Sequence, residues 1–155
     1  MSAVVQTVSE TSVEGLKLLH RGKVRDVYEV DDESLLLVAT DRISAFDCVM
    51  PNPIPFKGAV LTALSTFWFE RLGSLTEHHL ITSDFEKMPE AVRAAPEQLR
   101  GRSMLVKKTR VFPVECVVRG YLEGSGWKDY LATGEISGHF LPEGLRQCEK
   151  LTETV

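Results

Sequence analysis

The apolar positions of this chain fall first into short β-prone runs. After about a dozen mostly polar residues come "LKLLH", "KVRDVYEV" and "SLLLVAT", separated by Arg21-Gly22 and by the acidic turn Asp31-Asp32-Glu33. Runs of this kind, bounded by turn formers, predict an antiparallel meander. "DRISAFDCVMPNPIPFKG" follows; its prolines fit neither a central strand nor a continuous helix, so an ordered surface loop is expected. Between Ala59 and Leu72 the residues Val60, Leu61, Leu64, Phe67, Trp68 and Leu72 recur at helical spacing. That spacing predicts a helix packed on the sheet, with Gly73 as its C-cap.

Further along, Pro89 opens a weaker helix that Gly101 closes. "SMLVKKTRV" and "VECVVRGYL" then predict two more strands, joined across the stiff Phe112-Pro113 pair. The remaining residues predict one short helix followed by polar or glycine-rich connections. The whole reads as α+β: an antiparallel β-meander lobe with a packed helix over residues 1–112, a hinge at Phe112-Pro113, and the beginning of a second α+β lobe over 113–155. Within this pattern "VFPVECVVRGYLEGSGW", residues 111–127, reads as a buried strand, yet it carries Glu115 and Arg119 and ends in a glycine-bracketed Ser125.

Composition narrows the possible partners. The net charge of -4 and pI near 5.6 offer no general attraction to nucleic acid or anionic lipid, so any anion must be held by a specific site. Apolar runs such as Leu35 to Ala39 are far shorter than the ~20 residues that span a bilayer. "MSAVVQTVSE" has neither the basic start nor the apolar run of a secretory signal. A cytoplasmic protein with no nucleic-acid or membrane partner is expected. Cys48, Cys116 and Cys148 are odd in number and show no CxxC pairing, which supports neither a disulfide framework nor a zinc site. Cys116 is expected to be a buried thiol.

Candidate chemistry starts at "HRGKVRDVY". Alternation along a strand puts Lys23 and Arg25 on one face and Val24, Asp26 and Tyr28 on the other. Two cations beside Gly22 suit a polyphosphate, and they equally suit an edge strand with solvated charges. Glu115 and Arg119 lie roughly 13 Å apart if extended, at ~3.3 Å per residue, too far to neutralise each other. Arg119, the Ser125 hydroxyl and a helix start would together suit a phosphate monoester; cross-strand salt bridges with a serine N-cap are the alternative. In "DRISAFD", Asp41, Ser44 and Asp47 could bind a metal or an amino group, or simply serve turn chemistry. Lys57-Gly58 offers an anion site or a solvated lysine. His78 and His79 are adjacent and point apart, so no metal site is expected there.

Taken in order, "GKVRDVY", "DRISAFD", "IPFKGAVLT", "LVKK" and "VFPVECVVRGYLEGSGW" resemble the phosphoribosylaminoimidazole-succinocarboxamide synthase (SAICAR synthase) family over nearly all of residues 20–130. Glu123 departs from the small residue that many members carry before the Gly-Ser pair. The resemblance implies an ATP-dependent carbon–nitrogen ligase that joins CAIR and L-aspartate to give SAICAR, ADP and phosphate in purine biosynthesis. It implies Gly22, Lys23, Val24 and Arg25 as the loop over the ATP phosphates, with Lys107, Thr109 and Val111 beside adenine. Arg119 and Ser125 would hold the CAIR 5'-phosphate, with Asp41, Ser44 and Lys57 also near the substrates. Lys23 and Glu115 would act in catalysis, and the charges of the 111–127 strand would face a cleft between two lobes. The second lobe would be ATP-binding, and Mg2+ would be required, with its ligands beyond Val155. By the same resemblance the chain is the amino-terminal portion of such an enzyme, incomplete and inactive alone, with a possible homo-oligomer. Two other readings stay open: a noncatalytic nucleotide-binding fragment, and a kinase-like ATP-binding lobe, although no HRD-type or DFG-type segment occurs.

Overall fold

A computed structural model describes residues 6–155. The opening five residues, which the reading of "MSAVVQTVSE" includes, lie outside the described residues. The chain divides into two compact units, Met1–Arg110 and Val111–Val155.

The first unit is built on an antiparallel sheet. Strands β1 (Lys17–Arg21), β2 (Arg25–Glu29) and β3 (Ser34–Ala39) form the meander that the turn residues predict. The acidic turn closes β2 to β3 because Asp31 Oδ1 accepts the amides of Glu33 and Ser34, the local bonding that makes aspartate a turn former. A short hairpin, β4 (Ser44–Ala45) and β5 (Cys48–Val49), lies within the proline-containing segment, with Phe46 and Asp47 at positive φ in its turn. Helix α1 (Lys57–Leu72) follows, then strand β6 (Leu80–Thr82), the short helices α2 (Glu90–Arg93) and α3 (Pro96–Leu99), and strand β7 (Ser103–Lys107). The sheet order is β1-β2-β3-β7-β6.

Strand alternation sorts the sheet's faces. Tyr28, Leu36 and Val38 point to one side and pack with Val13, Phe85, Met88, Val92 and Leu99. Pro96 splits the single helix expected between Pro89 and Gly101, since it donates no amide and takes the first position of a new helix.

Helix α1 occupies the predicted residues but packs less than its pattern suggests. Only Gly58 and Thr62 are buried, while Val60, Leu64, Phe67 and Trp68 are each half exposed. Its start lies against β3, and its apolar stripe is left uncovered within this unit. Gly73 does sit at the C-cap position, but at φ -61 it is right-handed and does not act as a left-handed glycine cap.

In the second unit the expected buried strand is absent. Residues 111–118 are irregular and exposed, with Val111 at 85%, Phe112 at 80% and Val118 at 76% exposure. An extended segment is buried only when ladders or a packed face cover it, and no described residue pairs with this one. Cys116 is exposed for the same reason, contrary to expectation; Cys48 and Cys148, which lie in paired segments, are exposed too.

Order begins at Arg119, whose amide and carbonyl exchange hydrogen bonds with Val155; Leu122 and Gly120 pair with Cys148, Glu149 and Leu151. Helix α4 (Ser125–Thr133) and a hairpin of β8 (Glu135–Ile136) and β9 (His139–Phe140) complete the unit around Leu122, Tyr130, Ile136 and Leu151. This closing segment is more ordered than the polar connections expected there.

Candidate functional site

The first set of residues surrounds the β1–β2 turn. The Gly22 amide donates to the Arg25 carbonyl at 2.7 Å, so Lys23 and Val24 form a tight turn. Lys23 therefore does not share a strand face with Arg25; alternation starts at Arg25, beyond which Asp26 and Tyr28 turn inward.

Under this turn lies a buried ionic layer. The Asp26 carboxylate is fully enclosed and accepts from Thr11 and from Arg42 Nη2, the latter at 2.8 Å. Asp41 is also fully enclosed; it accepts from the Val8 amide at 2.8 Å, the Gly58 amide at 3.0 Å and Arg102 Nη1 at 2.8 Å. Burial alone would raise the Asp41 carboxyl, but Arg102 and the two amides outweigh it and hold it below the ordinary value. Unpaired charges at this depth would be strongly destabilising, and each is paired here. Asp41, a substrate contact by resemblance, is thus placed in the interior, tying the start of α1 to β3.

Above this layer the cations are more open. Lys23 Nζ bonds Asp47 Oδ1 at the tip of the β4–β5 hairpin and holds that carboxyl below its ordinary value. Asp41, Ser44 and Asp47 do not converge as ligands: Asp41 faces inward, Ser44 begins β4, and Asp47 is exposed and paired. Among the described residues no group of three or more His, Cys, Asp or Glu could hold a metal ion.

Lys57, the first residue of α1, has its ammonium pKa pushed down by burial and then by the charge of Arg25; the pKa of His79 is lowered by burial, His78 and Arg25. Arg25 also lines the gap between sheet and helix with Leu37, Leu61, Thr62 and Met104. Arg25 and Lys57 are therefore like charges held close, an arrangement that an anion would relieve. Lys107 ends β7 and lines an open hollow of about 960 Å³ with Asp31, Glu33, Ile81 and Lys108. Thr109, two residues beyond it, is exposed, while Val111 belongs to the second unit.

The second set lies at the start of α4. Arg119 Nη2 donates to Ser125 Oγ at 2.8 Å and Nη1 donates to the Glu123 carbonyl at 3.1 Å. Gly124, at φ 64, is the N-cap, and no side chain caps the helix. Gly126 is what lets the arginine lie across the helix start: a Cβ there would stand 3.0 Å from Arg119 Cδ and 3.2 Å from Ile136 Cδ1.

A guanidinium, a hydroxyl and uncapped helix amides converge, which is the donor set suited to a phosphate group. Glu115 sits apart in the exposed segment. Among the described residues neither Glu115 nor Arg119 forms a salt bridge, so the cross-strand pairs of the alternative reading do not occur.

Arg42, Thr40 and Arg102 went unmarked by the sequence reading, and Asp26 was placed on a strand face with Val24 and Tyr28 but given no partner. A signal existed: charged residues inside "KVRDVYEV" and directly after "LLLVAT" interrupt strands whose neighbours are apolar, and such charges must be paired if buried.

Fold and donor groups together define an α+β protein with an antiparallel-sheet unit bearing clustered cations and a smaller unit bearing a phosphate-type donor set. The family model described as SAICAR synthetase matches residues 18–155, and the chain belongs to that family. The phosphoribosylaminoimidazole-succinocarboxamide synthase of Syntrophobacter fumaroxidans is 57% identical over 155 residues, covering 100% of this chain and 51% of the relative. That of Thermodesulfovibrio yellowstonii is 57% identical over 148 residues, 96% of this chain and 50% of its own length.

Among solved structures, one titled SAICAR synthase aligns with TM-score 0.88 at 43% identity, covering 96% of this chain and 53% of that one. The Saccharomyces cerevisiae SAICAR synthase, complexed with SAICAR, aligns with TM-score 0.85 at 42% identity, covering 96% and 52%. The chain spans about half the length of the curated relatives it matches.

Proposed function

We propose that this chain serves an ATP-dependent ligase that joins CAIR and L-aspartate into SAICAR with release of ADP and phosphate, in the cytoplasm. Family membership supports the reaction. The observation that carries the assignment of roles is the convergence of Arg119, Ser125 and the α4 start in the second unit. These groups hold the 5'-phosphate of CAIR, the arginine by charge-assisted bonds and the helix amides by direct donation.

ATP, when bound, supplies the phosphoryl group that activates the CAIR carboxylate toward the aspartate amine. The chain's own residues position and neutralise. Gly22 to Arg25 present backbone and cations to the ATP phosphates, with Lys23 exchanging Asp47 for a phosphate oxygen and Lys57 adding charge beside Arg25. Backbone atoms near Lys107, Thr109 and Val111 hold adenine, and Glu115 acts near the nucleotide. Ser44 contributes a hydroxyl near the substrates, and Asp41 supports the site from beneath. Mg2+ would supply further neutralisation of the ATP phosphates; among the described residues no His, Cys, Asp or Glu cluster fits it. The boundary between the nucleotide-binding part and the part that begins the second lobe is placed at Phe112-Pro113, and a homo-oligomer is compatible with these roles.

Calorimetric titration of ATP and of CAIR tests the reading. Both are expected to bind. Arg119→Ala should weaken CAIR by on the order of 1.5 to 3 kcal/mol and leave ATP unchanged. Binding of ATP alone would reduce the protein to a nucleotide-binding lobe, and unchanged CAIR affinity would remove Arg119 from the site.

A further inference from the structure

We propose that Arg42, with Thr40, is the positioning residue that turns the Gly22–Arg25 hairpin into an anion receptor; this rests on the nucleotide reading above. Every carbonyl of that turn is held from beneath. Arg42 Nη2 donates to the Gly22 carbonyl at 2.8 Å and the Arg25 carbonyl at 3.2 Å, and Arg42 Nε donates to the Lys23 carbonyl at 3.1 Å. The Thr40 amide and hydroxyl both donate to the Val24 carbonyl, at 3.1 and 3.0 Å.

In a planar trans peptide the carbonyl of one residue and the amide N–H of the next point in opposite directions. Drawing the Gly22 and Lys23 carbonyls inward therefore aims the Lys23 and Val24 amides outward. Those amides donate to no described residue. Successive outward N–H groups form a concavity that prefers an anion, and Lys23, whose half-exposed ammonium bonds the exposed Asp47 carboxylate, belongs to the same turn.

The charge of Arg42 is not what attracts the ligand. Its side chain is 11% exposed and paired with the fully buried Asp26 carboxylate, and it also donates to the Ser9 carbonyl. The guanidinium acts as a template: its planar fork spans several carbonyls in fixed directions, which a single lysine ammonium cannot do. Arg42→Lys thus keeps the charge and removes the template.

The test titrates the 155-residue chain with inorganic tripolyphosphate and with ATP, following backbone amide resonances by 15N NMR. In the unsubstituted protein the Lys23 and Val24 amides should shift downfield with saturation. Arg42→Lys should weaken tripolyphosphate tenfold or more and abolish those two shifts. Thr40→Val, which removes only the hydroxyl and keeps the amide, should weaken it severalfold. Leu36→Val, a core change away from the turn, serves as the control for lost stability and should bind as the parent does.

Should Arg42→Lys fail to fold, Thr40→Val decides: a parental affinity with both shifts intact overturns the proposal. Parental binding and shifts in a folded Arg42→Lys overturn it as well, while leaving the nucleotide reading in place. If the parent binds neither ATP nor tripolyphosphate, the nucleotide reading itself fails.

Discussion

Replacing Gly58 by alanine separates helix propensity from packing, because the two give opposite signs. Gly58 is the second residue of α1, and alanine is favoured over glycine in helices by about 1 kcal/mol, so a propensity view expects stabilisation. The structure says otherwise. A Cβ at Gly58 would lie 2.1 Å from the Ala39 carbonyl oxygen, 2.8 Å from its carbon and 2.7 Å from Arg102 Nη1. The first two are backbone atoms of a sheet strand and cannot swing aside. Relief requires α1 to retreat by roughly 1 Å, an overpacking strain of about 1–3 kcal/mol.

The same retreat stretches the Gly58 amide bond to Asp41 Oδ1 from 3.0 Å, and a charge-assisted bond of this type is worth about 1.5–3 kcal/mol. Less the propensity gain, the net loss should be about 1.5–5 kcal/mol. Urea unfolding checks it, followed by Trp68 fluorescence in a Trp127→Phe background so that only the first unit reports. With slopes of about 1–3 kcal/mol per molar, the midpoint should fall by roughly 0.5 M or more. An unchanged or higher midpoint would refute the close approach of α1 to β3.

Other consequences follow from burial and charge. Leu36 is fully buried, so Leu36→Ala should lose about 2–5 kcal/mol, whereas Leu64→Ala on the uncovered stripe should lose under about 1 kcal/mol; comparable losses would mean that the α1 face is packed in solution. Glu123 accepts from the Cys148 thiol, the Gly124 amide and Gln147, which together hold its carboxyl down to about 2. A depressed carboxylate stabilises above its unfolded value and loses that contribution as pH falls through its folded value. The Leu122 and Cys148 amides should therefore lose hydrogen-exchange protection between about pH 4.5 and pH 2, and retained protection at pH 2 would contradict the contact. The same bond raises the Cys148 thiol, so iodoacetamide should alkylate Cys148 more slowly than Cys48 at pH 8, and Glu123→Gln should abolish the difference.

Period-two and period-3.6 patterns, with turn residues between them, were enough to read β1, β2, β3, β7 and α1 from the sequence. These are local signals: alternation in "KVRDVYEV", the Asp31 turn and the apolar spacing of 60–72 all act over a few residues. Motif order likewise pointed to the family from the sequence alone, and the proximity of Arg119 to Ser125 was legible because both lie on one short stretch around a glycine turn.

What only the tertiary structure decided are the partners of charges and the covering of faces. The one-dimensional pattern shows Asp26, Asp41 and Arg42 as charges within or beside apolar strands but names no partner for them; their meeting with one another and with Arg102 depends on the strand register and the approach of α1. The apolar residues of 111–118 carry the composition of a strand but form none here, since a strand is completed by a neighbour and composition alone supplies no hydrogen-bond partner. Periodicity is written in the chain, whereas burial and pairing arise from residues far apart in sequence, and so only the folded arrangement assigns them.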